Sequence, residues 1–158
     1  MTPATTTDTD VNALLRARYG DAAPALTEAA LLDSPVLAQL LQHRSVRRFT
    51  TEPVTPETVT ALVAAAQSAA TSSNNQVWSV VEIRDETART RLVHEAGGSS
   101  FIADAPVILL FVADWARAAA IADRHGEPAE AADYLESTLV GFVDAALAAQ
   151  NAVVAAEA

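Results

Sequence analysis

Two polar segments concentrate the side chains able to do chemistry in this chain. His43 to Thr50 reads HRSVRRFT and sets Arg44, Arg47 and Arg48 within eight residues, in a sequence whose formal net charge is −10. Thr71 to Gln76 reads TSSNNQ. The arginines have two readings. They can form exposed ion pairs with the many carboxylates, each worth little, or they can hold an anion, since guanidinium forks and a serine hydroxyl suit a phosphate. The second segment can be a simple helix stop of Asx- and Ser-type turn formers. Its hydroxyl and amide groups can also donate and accept around the edge of a polar heterocycle and a ribityl chain. Two such segments, one before and one after a helix, could wrap a phosphorylated cofactor.

Other chemistries find less support. The 158 residues contain no cysteine, which removes disulfides, a thiolate nucleophile and iron–sulfur ligation. All ten basic residues are arginine, so neither a Schiff-base lysine nor a P-loop lysine exists. His43, His94 and His125 lie far apart and no pair has metal-ligand spacing. Neither G-x-S-x-G nor G-x-G-x-x-G occurs. Asp and Glu sit mostly where helix caps and solvated faces need them. The acidic balance argues against a nucleic-acid backbone as partner. The start, MTPATTTDTD, lacks the basic and apolar regions of a signal peptide, so a cytoplasmic address is expected. With no nucleophile or acid–base pair in evidence, a bound cofactor has to bring the chemistry.

The surrounding pattern supplies a scaffold for one domain with a real core, 51% of the residues being hydrophobic. Residues 1–10 read as a loose tail and 11–42 as a helical leader. In that leader VNALLRARYG is a short helix stopped by Gly20, ALTEAALLD a second, and Ser34-Pro35 starts a third over VLAQLLQH with Leu37, Leu40 and Leu41 on one face. Thr55-Pro56-Glu57 starts the helix that separates the two polar segments, its inner side being Val59, Leu62, Val63 and Ala66. VWSVVEIR reads as a strand. Asp85 caps a helix over ETARTRLVHEA that ends at Gly97-Gly98. PVILLFVAD has the length and continuous apolarity of a buried central strand, and a short alanine-rich helix ends at Gly126. The final segment, DYLESTLVGFVDAALAAQNAVVAAEA, is apolar almost all round. Glu136, Asp144, Gln150, Asn151 and Glu157 interrupt it, which favours a helix buried on most sides, in a core or a subunit interface, over a membrane span.

Four successive stretches, HRSVRRFTTEPV, AAAQSAATSSNNQVWSVV, AGGSSFIADAPVILLFVAD and LVGFVDAALAAQNAVVAAEA, resemble the nitroreductase family. Within it they are most similar to the subgroup of FMN-dependent NADPH oxidoreductases, which includes oxygen-insensitive nitroreductases and flavin reductases. The likeness covers 43–158. It implies an α+β fold, an antiparallel sheet wrapped by helices, in an intertwined homodimer with FMN at the interface. It further implies that the flavin relays electrons from NAD(P)H, the co-substrate, to nitroaromatic, quinone or flavin acceptors. Residue by residue, His43, Arg44, Ser45 and Arg47 match the segment that reaches the phosphate and ribityl oxygens. Thr71, Ser72 and Ser73, with Asn75 and Gln76, match the loop facing the isoalloxazine. Arg48 falls at a variable position.

The sequence departs from the family pattern in two ways. Ser99 stands after Gly97-Gly98 where relatives often carry glutamine, so its contact with the ring would be shorter or water-mediated. The glycine-rich and Lys/Arg segments that follow the long helix in relatives do not follow Ala158, and the helix lacks a C-cap, so an N-terminal portion of such an enzyme is expected, incomplete at the C-terminus. The competing expectation is a non-catalytic flavin-binding or subunit-interaction module.

Overall fold

The computed structural model describes residues 10–130 and 134–158, and its contacts separate into two units. The residues of the expected tail before Asp10, and Asp133 at the start of the last segment, lie outside the described residues.

The first unit comprises the residues up to Ser45 together with Glu157–Ala158. Helix α1 (Val11–Tyr19) is capped by Asp10, whose carboxylate accepts from the Asn12 amide, and it stops at Gly20, where φ is +61°. That left-handed turn is the conformation glycine tolerates best. Helix α3 (Pro35–Gln42) begins as expected, with Ser34 Oγ accepting from Leu37 N at 3.2 Å. Between them the expected helix over ALTEAALLD shrinks to a single turn, α2 (Ala29–Leu32). Asn12 explains this: its side-chain amide accepts from Leu26 N and donates to Leu26 O, both at 2.9 Å. A residue whose two backbone groups are committed to a side chain cannot take its place in a helical ladder. Val11, Leu15 and Ala38 form the small core, with Leu37 and Leu41 packed against it. Leu40, expected on the same inner face, is 45% exposed; Ala38 occupies the buried position instead.

The second unit runs from Val46 to Ala156. Helix α4 (Pro56–Gln67) starts at Thr55, whose hydroxyl accepts from Thr58 N, and it buries Val59 and Ala66 as the pattern predicts. Strands β1 (Trp78–Ile83) and β2 (Ile108–Ala113) pair antiparallel, in a register that sets Trp78 opposite Ala113 and Val80 opposite Phe111. Helix α5 (Glu86–Glu95) lies between them in sequence, with Asp85 accepting from Ala88 N at 2.8 Å, and α6 (Trp115–Arg124) follows β2. Helix α7 (Leu135–Ala156) lies against α4 and both strands. Ala145, Ala148 and Ala152 meet Ala66 and Trp78 there, and Trp78 and Phe111 bring their rings to 5.7 Å.

One expectation for this unit is corrected. Among the described residues β2 has one pairing partner, and Leu110 is 37% exposed, so it is not the fully covered central strand that its apolarity suggested. Within the single chain α7 buries one face. Its small residues, Ser137, Gly141, Ala145, Ala148 and Ala152, face inward with Asp144, while Leu135, Leu139, Phe142 and Val143 face outward. Small side chains let the helix approach the sheet closely, and that requirement outweighs the gain from burying the larger ones on the same face. By length and composition α7 could cross a membrane, its most apolar window having a mean hydropathy of 1.6; here its inner face packs on a sheet.

Candidate functional site

The arginine segment is divided between the two units, Ser45 closing the first and Val46 opening the second. In the first, His43 Nδ1 lies 2.8 Å from Glu157 Oε1, and the Arg18 guanidinium holds the carbonyls of Leu41 and His43 at 3.1 and 3.0 Å. The backbone entering the segment is therefore pinned, and one His43 ring nitrogen is committed to a carboxylate. Arg44 and Ser45 are exposed. In the second unit Arg47 and Arg48 are exposed as well. Among the described residues none of the three arginines forms an ion pair, so the surface-pair reading of the cluster is not realised here. Phe49, just beyond Arg48, stacks on Phe101 with ring centroids 6.5 Å apart. That contact draws the chain after the arginines toward the turn that starts at Ser99, which is itself exposed.

The Thr71–Gln76 segment is more than a helix stop. Ser72–Asn74 form a tight 3-10 turn, and Ser73, Asn74 and Gln76 adopt φ values of +50°, +56° and +49°. A left-handed conformation costs a residue with a Cβ about 1–2 kcal/mol, less for asparagine. Three in four residues must be held by something. Inside the loop Asn75 N donates to Ser72 O at 2.9 Å and Gln76 Nε2 to Asn74 Oδ1 at 2.8 Å. At its start, Ser72 N donates to Asp144 Oδ1 at 3.0 Å. At its end, the Arg117 guanidinium donates to Gln76 O and, at 3.1 Å, to Trp78 O. Ser72 to Gln76 all face solvent and Thr71 is half-buried, so the loop presents its hydroxyls and amides outward.

Asp144 and Arg117 were missed by sequence reasoning. Asp144 is 1% exposed, and among the described residues its Oδ2 has no hydrogen-bond donor. A buried carboxylate inside an apolar helix is itself the signal that could have found it, because that position is costly without a task. Arg117 carried no comparable signal. It lies in the first turn of α6, whose N-cap is Asp114; the Ser79 hydroxyl donates to Asp114, as does Arg117 N at 2.9 Å. Those bonds, the serine first, hold the Asp114 carboxyl below its ordinary value, against the opposing effect of burial and with help from the Arg117 charge. Beside the loop an open groove of about 290 Å³ is lined by Thr71, Ser72, Leu139, Val143, Asp144 and Leu147.

The model of the nitroreductase family matches residues 40–158. The chain is 42% identical over 123 residues to an FMN reductase of Bacillus subtilis that uses NAD(P)H, covering 77% of this chain and 49% of that protein. It is 38% identical over 118 residues to an NADPH-flavin oxidoreductase of Vibrio harveyi, covering 75% and 47%. Among solved structures, the NADPH:FMN oxidoreductase of Vibrio harveyi in complex with NAD+ superposes with a TM-score of 0.69 at 36% identity, covering 77% of this chain and 50% of that one. The chain thus spans about half the length of the relatives it matches.

Proposed function

The chain belongs to the nitroreductase family, and on that premise we propose that the protein is an FMN-dependent NAD(P)H oxidoreductase acting on nitroaromatic, quinone or flavin acceptors. In this reading 43–158 is the N-terminal part of the FMN-binding domain, 11–42 a helical leader, and the working molecule a homodimer. The observation that carries the proposal is the set of exposed guanidiniums at Arg44 and Arg47, which no carboxylate of the described residues engages although the chain carries a net charge of −10.

The donor set fits a flavin mononucleotide. Bound FMN supplies a two-electron relay between NAD(P)H and the acceptor. The chain supplies position. Arg44 and Arg47 offer charge-assisted donors to phosphate oxygens, the Ser45 hydroxyl and the second ring nitrogen of His43 add polar contacts, and Arg18 keeps that backbone in place. The hydroxyls of Thr71, Ser72 and Ser73 and the amides of Asn75 and Gln76 meet the polar edges of the ring system, with Ser99 as a shorter-armed contact. No side chain in these segments needs to transfer a proton. Replacing Ser72 or Ser73 by alanine therefore tunes affinity and leaves turnover possible.

The exposed outer face of α7, with Leu139 at 61% and Phe142 at 64%, favours a subunit-interaction role in addition. Flavin absorbance per chain, FMN release on denaturation and NAD(P)H oxidation by the purified protein test the proposal. Yellow protein with stoichiometric FMN is the expected result. A colourless protein that neither takes up FMN nor oxidises NAD(P)H would overturn it and leave the interaction module.

A further inference from the structure

We infer that Asp144 and Arg117 are positioning residues of the flavin site, a two-point clamp that holds the Thr71–Gln76 loop in its left-handed form. The inference rests on the FMN reading above, but its argument is separate. The loop contains three non-glycine residues with positive φ, and Ser72 to Gln76 are exposed, so packing does not hold that stretch. Its two ends are fixed from opposite elements. Asp144 of α7 accepts the Ser72 amide, and Arg117 of α6 donates to the carbonyls of Gln76 and Trp78. The two anchors differ in surroundings: Asp144 is buried and Arg117 is exposed. A backbone held away from its preferred conformation keeps its ligand-facing groups in one arrangement only while such anchors persist. Asp144 also has a second oxygen that no donor of the described residues satisfies, and it lines the groove beside Thr71 and Ser72. A carboxylate buried in this way is retained at a cost, and ordering the loop gives that cost a purpose.

The test compares Asp144→Leu, Asp144→Asn and Arg117→Met with the unaltered protein. FMN affinity is read by flavin fluorescence quenching and loop order by amide hydrogen exchange over 72–78. Asp144→Leu removes the acceptor and should weaken FMN binding at least tenfold, with faster exchange at Ser72. Asp144→Asn keeps one acceptor oxygen and should recover most of the affinity. Arg117→Met, on an exposed helix surface where folding is safe, should weaken FMN about three- to tenfold. It remains informative if Asp144→Leu fails to fold. If the unaltered protein binds FMN and both Asp144→Asn and Arg117→Met leave affinity and exchange within twofold, the clamp is wrong while the FMN reading stands. Asn as damaging as Leu would also overturn the acceptor role. If the unaltered protein binds no FMN, the FMN reading fails and this inference with it.

Discussion

At Gly141 α7 lies tight against the end of β2, and enlarging this residue should show how closely the frame under the loop is built. A Cβ at this position would lie 3.0 Å from Ala113 Cβ and 3.1 Å from Trp115 Nε1. Neither neighbour can step aside freely. Ala113 ends β2 opposite Trp78, and the Trp115 indole donates to Ser137 O at 2.7 Å. In an exposed helix interior Gly→Ala stabilises by about 1 kcal/mol. Overpacking costs about 1–3 kcal/mol, and disturbing the indole bond adds about 1 kcal/mol. The opposed effects leave Gly141→Ala destabilised by about 1–3 kcal/mol, and Gly141→Val, with two further methyl groups and a poorer helix former, by more. For a chain of this size the alanine variant should melt about 2–10 °C lower. Thermal melts followed by far-ultraviolet circular dichroism and tryptophan fluorescence give the answer. A rise of about 2–4 °C for Gly141→Ala, as at an exposed helix glycine, would refute the close approach.

Arg44→Ala and Arg47→Ala should each weaken FMN binding about ten- to a hundredfold, the loss of a charge-assisted contact worth ~1.5–3 kcal/mol. Their melting temperatures without FMN should stay unchanged, because these side chains make no ion pair among the described residues; Arg48→Ala matching Arg47→Ala would refute the residue-by-residue match. Asp114→Asn should lower stability at neutral pH. The native carboxyl is held below its usual range, so its contribution is present above about pH 4 and is lost as pH falls through the depressed value; melts from pH 7 to 3 should show the gap to the variant narrowing below about pH 4, and a constant gap would remove the charge from the argument. Phe142→Glu with Leu139→Glu should convert a dimer or aggregate into a smaller species in size-exclusion chromatography with light scattering, since both side chains are exposed on α7; a monodisperse monomer before substitution would refute the interface role.

What the sequence made legible here is local. Ser34, Thr55 and Asp85 were readable as helix starts because each cap closes on an amide three residues ahead, at 3.2, 3.1 and 2.8 Å. The two strands were readable from their side chains, and the two polar segments from their residue types. What failed depended on distant partners. Asn12 reaches 14 residues forward to hold Leu26 out of a helix. Asp144 lies 72 residues from the amide it accepts, and Arg117 lies 41 residues from the Gln76 carbonyl. No window of local pattern contains such a pair.

Helix α7 shows what spacing tells that composition does not. A helix apolar on every side gives no direction to a hydrophobicity argument, which leaves open which face meets the core and which a subunit interface. Size does give a direction. Ser137, Gly141, Ala145, Ala148 and Ala152 recur at helical intervals on one face, and the structure puts that face against β2, α4 and Trp78. The larger Leu139, Phe142 and Val143 are left outward. The same close approach brings Asp144, on the inner face, to the Ser72 amide. A bulkier stripe would hold α7 further from the sheet and carry that carboxylate away from a loop that has few other anchors. The small-residue face and the buried charge are therefore one device: the first sets the distance at which the second can act.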